Sequence, residues 1–423
     1  MKRILTALCL LVSASASFAQ GGLDTNFGSG GTASTEFANV NAEGHSVVVQ
    51  TDGKLVVAGT TTDLWNQSDF ALARYYSNGT LDTSFGTGGK VTTSFSDFDF
   101  VSGVALQTDG KIVASGMAYV NNMPIFAVAR YNSFGALDVT FGTGGKVTTS
   151  FGGPTQPFGV AVQADGKIVV VGYTHINGNF YFAVARYSSN GTLDSTFGTG
   201  GKKTIGFGTV SVAQANAVAI QRDGKIVVAG AANIGAASDF ALARLNNNGT
   251  LDSTFGTGGK VVTNLGSDDR GFAVALQADG KIVAAGMKGD DFALARYNSN
   301  GTLDATFGSG GKVTTDFAGR KDIGLGVAIR SDGKIIAAGQ TSLQTSPFSR
   351  HLDFAVARYN NNGTLDTSFA SGGKAITTFG SSFGAWASSV AIQPDGKAVV
   401  AGTVVAGAAG GNIGERFALA RYQ

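Results

Sequence analysis

Seven copies of one motif, Leu-Asp-x-x-Phe-(Gly/Ala)-x-Gly-Gly, start at Leu23, Leu81, Leu137, Leu193, Leu251, Leu303 and Leu365, 52 to 62 residues apart. Self-similarity at such a period means that one small unit is repeated and that neighbouring units cover each other's apolar faces. A catalytic site is normally built once, so side chains that return in every unit belong to the framework. Any activity has to be sought in what differs between units.

One unit reads as four strands. Residues 104–116 are two apolar runs around Asp109-Gly110, the pattern of a two-residue hairpin with its glycine at positive φ, and Gly166 takes the same place in the next unit. Alternation over 126–131 puts Phe126, Val128 and Arg130 on one face and Ala127, Ala129 and Tyr131 on the other. The small alanines let a neighbouring sheet approach closely. A turn over 132–136 leads to a segment ending near Phe151 that alternates as an outer strand, and nothing in the unit carries a 3.6-residue apolar stripe.

The expected fold class is all-β: a seven-bladed β-propeller of four-stranded blades. A single sheet holding all these strands would far exceed the roughly ten that open sheets reach. A parallel β-helix has much shorter coils and no Asp-Gly hairpins. The chain after residue 19 opens with an outer strand that no hairpin precedes, in Leu23 to Phe37, and ends with a third strand, Phe417 to Gln423, that no outer strand follows. The ring is therefore expected to close by pairing of the N- and C-terminal strands, which hides two edges that would otherwise invite aggregation.

Residues 1–19 read as a secretory signal peptide. Lys2 and Arg3 precede an apolar run from Ile4 to Val12 that is too short to span a bilayer, and Ser17-Phe18-Ala19 suits cleavage before Gln20. Residues 20–423 are then a single repeat domain, expected to be secreted, periplasmic or on the cell surface. Cys9, the only cysteine, lies in the leader, so no disulfide or cysteine ligand is expected after cleavage. The 31 basic and 29 acidic residues become 29 and 29 once Lys2 and Arg3 are removed, a net charge of zero. Without a basic stripe, nucleic acid is not an expected partner. No later segment reads as a membrane span.

The segments VAxQxDGKIVVAG, FALARYNSNGTLD and FGTGGKV resemble the bacterial delta-60 repeat family of secreted and surface proteins, which is regarded as propeller-forming and is more distantly similar to NHL-type blades. The resemblance covers 23–423. Departures are Thr32 in place of the Gly-Gly-Lys lysine, Ser133 to Ala136 in place of the usual Asn-Gly-Thr turn, and Ala370 in place of a Phe-Gly glycine. The resemblance implies the fold and supplies no catalytic residues.

The recurrent polar residues read as structural. Asp-Gly-Lys at Asp52, Asp109, Asp165, Asp223, Asp279, Asp332 and Asp395 lacks the other ligands of a calcium loop, so these aspartates read as turn formers. The Leu-Asp carboxylates and Arg74, Arg130, Arg186, Arg244, Arg296, Arg358 and Arg421 read as ion pairs or hydrogen-bonded anchors. Asn78, Asn190, Asn248, Asn300 and Asn362 read as turn residues. Three histidines without paired spacing suggest neither a zinc site nor a triad, and no cofactor or metal is expected. The pairs Asp97 with Asp99, Asp268 with Asp269 and Asp290 with Asp291 read as solvated loop charges, with a bound cation as the competing reading.

The variable connections carry the functional candidates. They follow the second strand of a unit, at 60–69, 117–124, 173–181 and 340–353, or join units, at 96–102, 266–270, 318–325 and 380–389. In an up-and-down blade both kinds fall on one face, opposite the constant turns, and variable loops on a rigid scaffold are where binding resides. The candidate ligand-binding residues are Trp65, Tyr119, Tyr173, His175, Tyr181, Arg320, Lys321, His351 and Trp386. The expected function is a non-enzymatic binding scaffold, a monomer that recognises a protein or glycan. The alternative is a polysaccharide hydrolase or lyase using loop carboxylates, which would need two acids, or an acid and a histidine, to meet in one cleft.

Overall fold

The computed structural model describes residues 22–37, 40–208, 212–233, 235, 237–346, 349–380, 384–407 and 413–423; the leader expected at 1–19 lies outside them. The described elements are all strands, with no helix among the described residues. Asn41–Val49, Leu55–Thr62, Ser68–Tyr75 and Lys90–Thr93 pair antiparallel in that order, and the same order recurs in sets spanning 99–149, 155–205, 212–263, 269–315 and 321–377. A further set takes Gly384–Ile392, Ala398–Gly407 and Ile413–Tyr422 from the end of the chain and Thr32–Thr35 from its start. There Thr32 faces Ala420 and Thr35 faces Phe417. Sets 155–205 and 212–263 touch through one parallel pair, Phe180 with Val212, and so count as one continuous eight-stranded sheet.

The first turn of each unit is longer than the two-residue hairpin expected from its Asp-Gly dipeptide. Gln163 N–H still donates to Lys167 O at 2.8 Å, so three residues, Ala164, Asp165 and Gly166, reverse the chain. Gly166 N–H donates back to Gln163 O with φ at +81°, the geometry of a type I turn ended by a glycine bulge. Asp165 Oδ1 accepts the Lys167 N–H at 3.2 Å, which explains the aspartate without a ligand.

The core lies between sheets. Phe70, Leu72 and Phe85 of set 41–93 pack with Ala114, Ala127, Ala129 and Tyr131 of set 99–149, large side chains meeting small ones as the alternation implies. Each buried tyrosine of the third strand then reaches the neighbouring set with its hydroxyl: Tyr131 to Thr93 at 2.9 Å, Tyr187 to Thr149 at 2.8 Å, and Tyr75 to Thr35 at 2.7 Å. Set 212–263 breaks the rule at both ends at once. Leu245 replaces the tyrosine, and the residue it meets is Ile205, so no buried hydroxyl loses its partner.

The innermost strand of every set slips register at the same point, for example between Gly44 and Ser46 and between Pro157 and Gly159. The residue left out of the ladder faces inward, as bulges permit. His45, Ser102, Phe158, Asn216, Phe272, Leu325 and Ser388 reach a shared central cavity of about 230 Å³ this way.

Candidate functional site

On the face carrying the constant turns, every unit absorbs its own charge. The third-strand arginine meets the Leu-Asp carboxylate at 2.7 to 3.0 Å in all the units, from Arg74 with Asp82 to Arg421 with Asp24. Each of these arginines also donates to a backbone carbonyl of the next set: Arg74 to Ser133, Arg186 to Asn247, Arg358 to Gln423, and Arg421 to Ser77 across the chain ends. Around Asp194, burial would raise the pKa. The Thr196 hydroxyl and N–H on Oδ1, with the charges of Arg186 and Lys167, hold it below the usual carboxylate range instead. A hollow of about 840 Å³ opens on this face among the turns at 220–223, 276–280 and 329–333. Its walls are the repeated turns, so it has the character of framework.

The opposite face is uneven, and its aromatic side chains concentrate on sets 99–149 and 155–205. Phe98 is 44% exposed and meets the edge of Tyr119, 38% exposed, with ring centroids 6.0 Å apart. Tyr173 is half-buried between Phe180 at 5.4 Å and Phe158 at 6.1 Å, and its hydroxyl donates to Gln156 Oε1 at 3.1 Å. Burial raises the Tyr173 pKa, and the nearby Tyr119 phenol adds to the rise. His175 stacks on Phe180 at 4.5 Å. Because Phe158 is the bulged residue of its strand, this grouping runs from the loops to the mouth of the central cavity.

The remaining candidates divide. His351 Nε2 lies 3.2 Å from Asp353 Oδ1 and Arg320 Nη1 lies 3.5 Å from Asp353 Oδ2, so two of them meet on one carboxylate, which Thr378 also holds. Lys321 pairs separately with Asp290 at 3.5 Å. Tyr181 faces Thr174 in the ladder, on the strand side opposite to Phe180 and Phe182, and so stands outside the aromatic grouping. Trp386 is half-buried opposite Thr403. Trp65, 85% exposed, projects from a loop whose Asp63 carboxylate accepts the N–H groups of Trp65 and Gln67.

Sequence reasoning missed two groupings. Phe98 and Phe100 lie in the variable connection 96–102 and are not among its candidates, yet both side chains are exposed. The acids of different loops also converge: Asp291, Asp316 and Asp322 each bring a carboxylate oxygen within 4.8 Å of the other two. Asp291 was legible as part of a loop pair; Asp316 follows the outer strand of the same sheet, next to the Phe292–Thr315 pair, and Asp322 lies across the sheet boundary. At the chain ends Glu43 neighbours Glu415, and burial together with that like charge pushes the Glu43 carboxyl up to about 7.

A β-propeller family described as a domain of unknown function (DUF5122) matches residues 50–85, 107–141, 163–197, 221–255, 277–307 and 330–369. The chain belongs to this family. Each DUF5122 match runs from the first turn of a unit to the phenylalanine of its Leu-Asp-x-x-Phe motif, and the one remaining unit is divided between the two chain ends. No curated protein matches. Among solved structures, the fold is similar to a catalytically inactive variant of virginiamycin B lyase from Staphylococcus aureus with quinupristin. That pair shares 10% identity over 92% of this chain and 98% of the other, with a TM-score of 0.53. A protein of unknown function from Dyadobacter fermentans is 12% identical over 93% and 100%, with a TM-score of 0.47. Likeness at this identity speaks to the propeller architecture alone.

Proposed function

We propose that this DUF5122 chain is an exported binding scaffold of the delta-60 type. In this reading residues 1–19 direct export, and 20–423 form one monomeric, seven-bladed ring at or beyond the cell surface. The continuous eight-stranded sheet counts as two blades that share one pair of residues, and the pairing of Thr32–Thr35 with the last strand supports closure. The ring recognises a protein or glycan on its variable-loop face. The observation that carries this reading is the aromatic grouping of Phe98, Tyr119, Tyr173, Phe180 and Phe158, which the repeat pattern does not require and which reaches the central cavity. Rigid aromatic side chains supply a large share of binding energy at protein and sugar interfaces.

Glycan and protein arrays probed with residues 20–423 would identify a ligand. Tyr119→Ala and Tyr173→Ala should then each weaken binding by about tenfold or more, while Lys111→Ala in a constant turn leaves it unchanged. Loss of binding in Lys111→Ala with full affinity in both tyrosine variants would overturn the assignment of faces. The hydrolase or lyase reading draws on the meeting of His351 with Asp353. That carboxylate is already held by Arg320 and Thr378, which suits a structural ion cluster better than a general base.

A further inference from the structure

Three boundaries between consecutive sets allow one position to be read against its own copies. Asp99, Asp269 and Asp322 all begin an innermost strand, and each has an aspartate of the preceding set beside it: Asp69, Asp239 and Asp291 respectively. At the first two boundaries the buried carboxylate is saturated locally. Asp99 accepts the Ser96 N–H on Oδ2 at 2.9 Å and the Ser96 hydroxyl on Oδ1 at 2.6 Å. Asp269 accepts the Leu265 N–H at 2.6 Å and the Ser267 hydroxyl at 2.9 Å.

The third boundary lacks that serine. Asp322, 0% exposed, accepts the Phe317 N–H on Oδ2 at 2.7 Å, and its Oδ1 has no hydrogen-bond partner among the described residues. Across the ladder the Thr341 hydroxyl, also fully buried, stands beside this carboxylate and works to lower its pKa, yet it makes no well-formed hydrogen bond to Oδ1. The position that carries Asn264 one set earlier, with its amide turned toward Asp239, carries Asp316 here. An acceptor has replaced a donor, so three carboxylates meet. The two cations next in sequence are directed elsewhere, Arg320 to Asp353 and Lys321 to Asp290. A buried carboxylate oxygen without a well-formed hydrogen bond, facing a cluster of acids, is a cost that a protein retains when something else completes it.

We propose that Asp291, Asp316 and Asp322 form a calcium site that joins the hairpin loop before Asp291 to the connection between sets 269–315 and 321–377. An all-oxygen donor set selects a hard divalent cation. Three carboxylates within 4.8 Å of one another can close on one ion, and calcium accepts an irregular oxygen set and sheds its water at a buried ligand more readily than magnesium, which keeps several waters in a strict octahedron. Asp316 is exposed, Asp291 half-buried and Asp322 buried, so an ion can enter from solvent and meet its most desolvated ligand last.

The test uses residues 20–423 stripped with EDTA and titrated with calcium chloride or magnesium chloride, read by calorimetry and by thermal melting. Calcium should bind at one equivalent and raise the melting temperature, with magnesium weaker. Asp316→Asn, at an exposed position that leaves the core intact, should weaken calcium binding by about a hundredfold and remove the thermal shift, since even outer-shell partners of a metal contribute 10- to 100-fold. Asp97→Asn, at an exposed acid of a different connection, leaves all three proposed ligands in place and should leave calcium affinity unchanged. Absence of calcium heat in the wild type, preference for magnesium, or an unchanged calcium response in Asp316→Asn would each overturn the proposal.

Discussion

The two faces of the propeller treat the same residue types in opposite ways. Burial raises the pKa of every carboxylate that shifts. On the constant-turn face hydrogen bonds and Arg or Lys charges outweigh it, and Asp24, Asp82, Asp194, Asp252 and Asp366 all sit below the usual range. On the variable face burial and neighbouring acids prevail, and Glu43, Asp99, Asp239, Asp291 and Asp322 all sit above it. Asp268 is the exception there: Arg270 and the Ser238 N–H outweigh its burial and hold it low. A group that recurs in every unit has been fitted into the fold, whereas a strained or exposed group that occurs once is where a ligand would find unmet demand.

The largest test removes the element on which the constant face depends at the chain ends. Deleting residues through Phe37 takes away Phe27 and Phe37 from the core and the Asp24 partner of Arg421, and leaves the edge of Ile413–Tyr422 unpaired. The truncated protein should aggregate or lose most of its thermal stability. Melting like the full-length domain would end the closed-ring reading.

A smaller effect sets one arginine on each face against the other. Arg244 donates to Asp252 at 2.8 Å and to Ser299 O of the next set, and its guanidinium lies 4.6 Å above the Phe255 ring. Breaking a buried pair by removing one partner costs about 3–5 kcal/mol. Lys225 remains 3.0 Å from Asp252, so Arg244→Met should fall near the lower end, about 3 kcal/mol by urea unfolding. Arg320→Met, which removes a single 3.5 Å contact, should cost about 1 kcal/mol or less. Equal losses would mean that the variable face is as much framework as the constant one.

The strand order, the alternation of Phe126 to Tyr131 and the roles of the recurrent aspartates and arginines were legible because period-two patterning and turn chemistry are local. What was not legible is long-range or subtle in backbone terms. The bulge recurs in every unit and so leaves the spacing of the repeats unchanged, and nothing in that spacing separates Phe158, which lines the cavity, from its neighbours in the strand. The glycine turn was read one residue short because the Gln163 to Lys167 pair that closes it involves side chains without β character. Asp291 and Asp322 are 31 residues apart and meet only because adjacent sheets bring their loops together. Of the candidate residues, Tyr119, Tyr173 and His175 share one aromatic grouping and Arg320 shares Asp353 with His351, whereas Trp65, Tyr181, Lys321 and Trp386 lie apart from both.

The smallest expected effect is a pH dependence confined to the variable face. Burial, reinforced by the charge and hydrogen bond of Glu415, raises the Glu43 carboxyl to about 7, so the fold favours its protonated form. Its stabilising contribution is therefore complete below the ordinary glutamate value and is lost as pH rises through about 7. His45, 3.9 Å away, is pushed down to about 4 by burial, so the fold favours its neutral form and its own contribution grows as pH rises toward the unfolded value of 6.5, opposite in sign to that of Glu43. The lowered aspartates of the opposite face titrate below both groups and stay ionised. Glu43→Gln, which mimics the protonated acid, should accordingly gain in melting temperature over the wild type as pH rises from 5 to 8, the His45 contribution being common to both proteins. Asp322, which burial and its acidic neighbours raise to about 6, contributes equally to both. Because the Glu43 side chain is 42% exposed, the difference should stay under about 1 kcal/mol once solvent screening is counted. A pH slope unchanged by Glu43→Gln would show that Glu43 and Glu415 separate in solution, and the contrast between the faces would then rest on Asp322 and its neighbours.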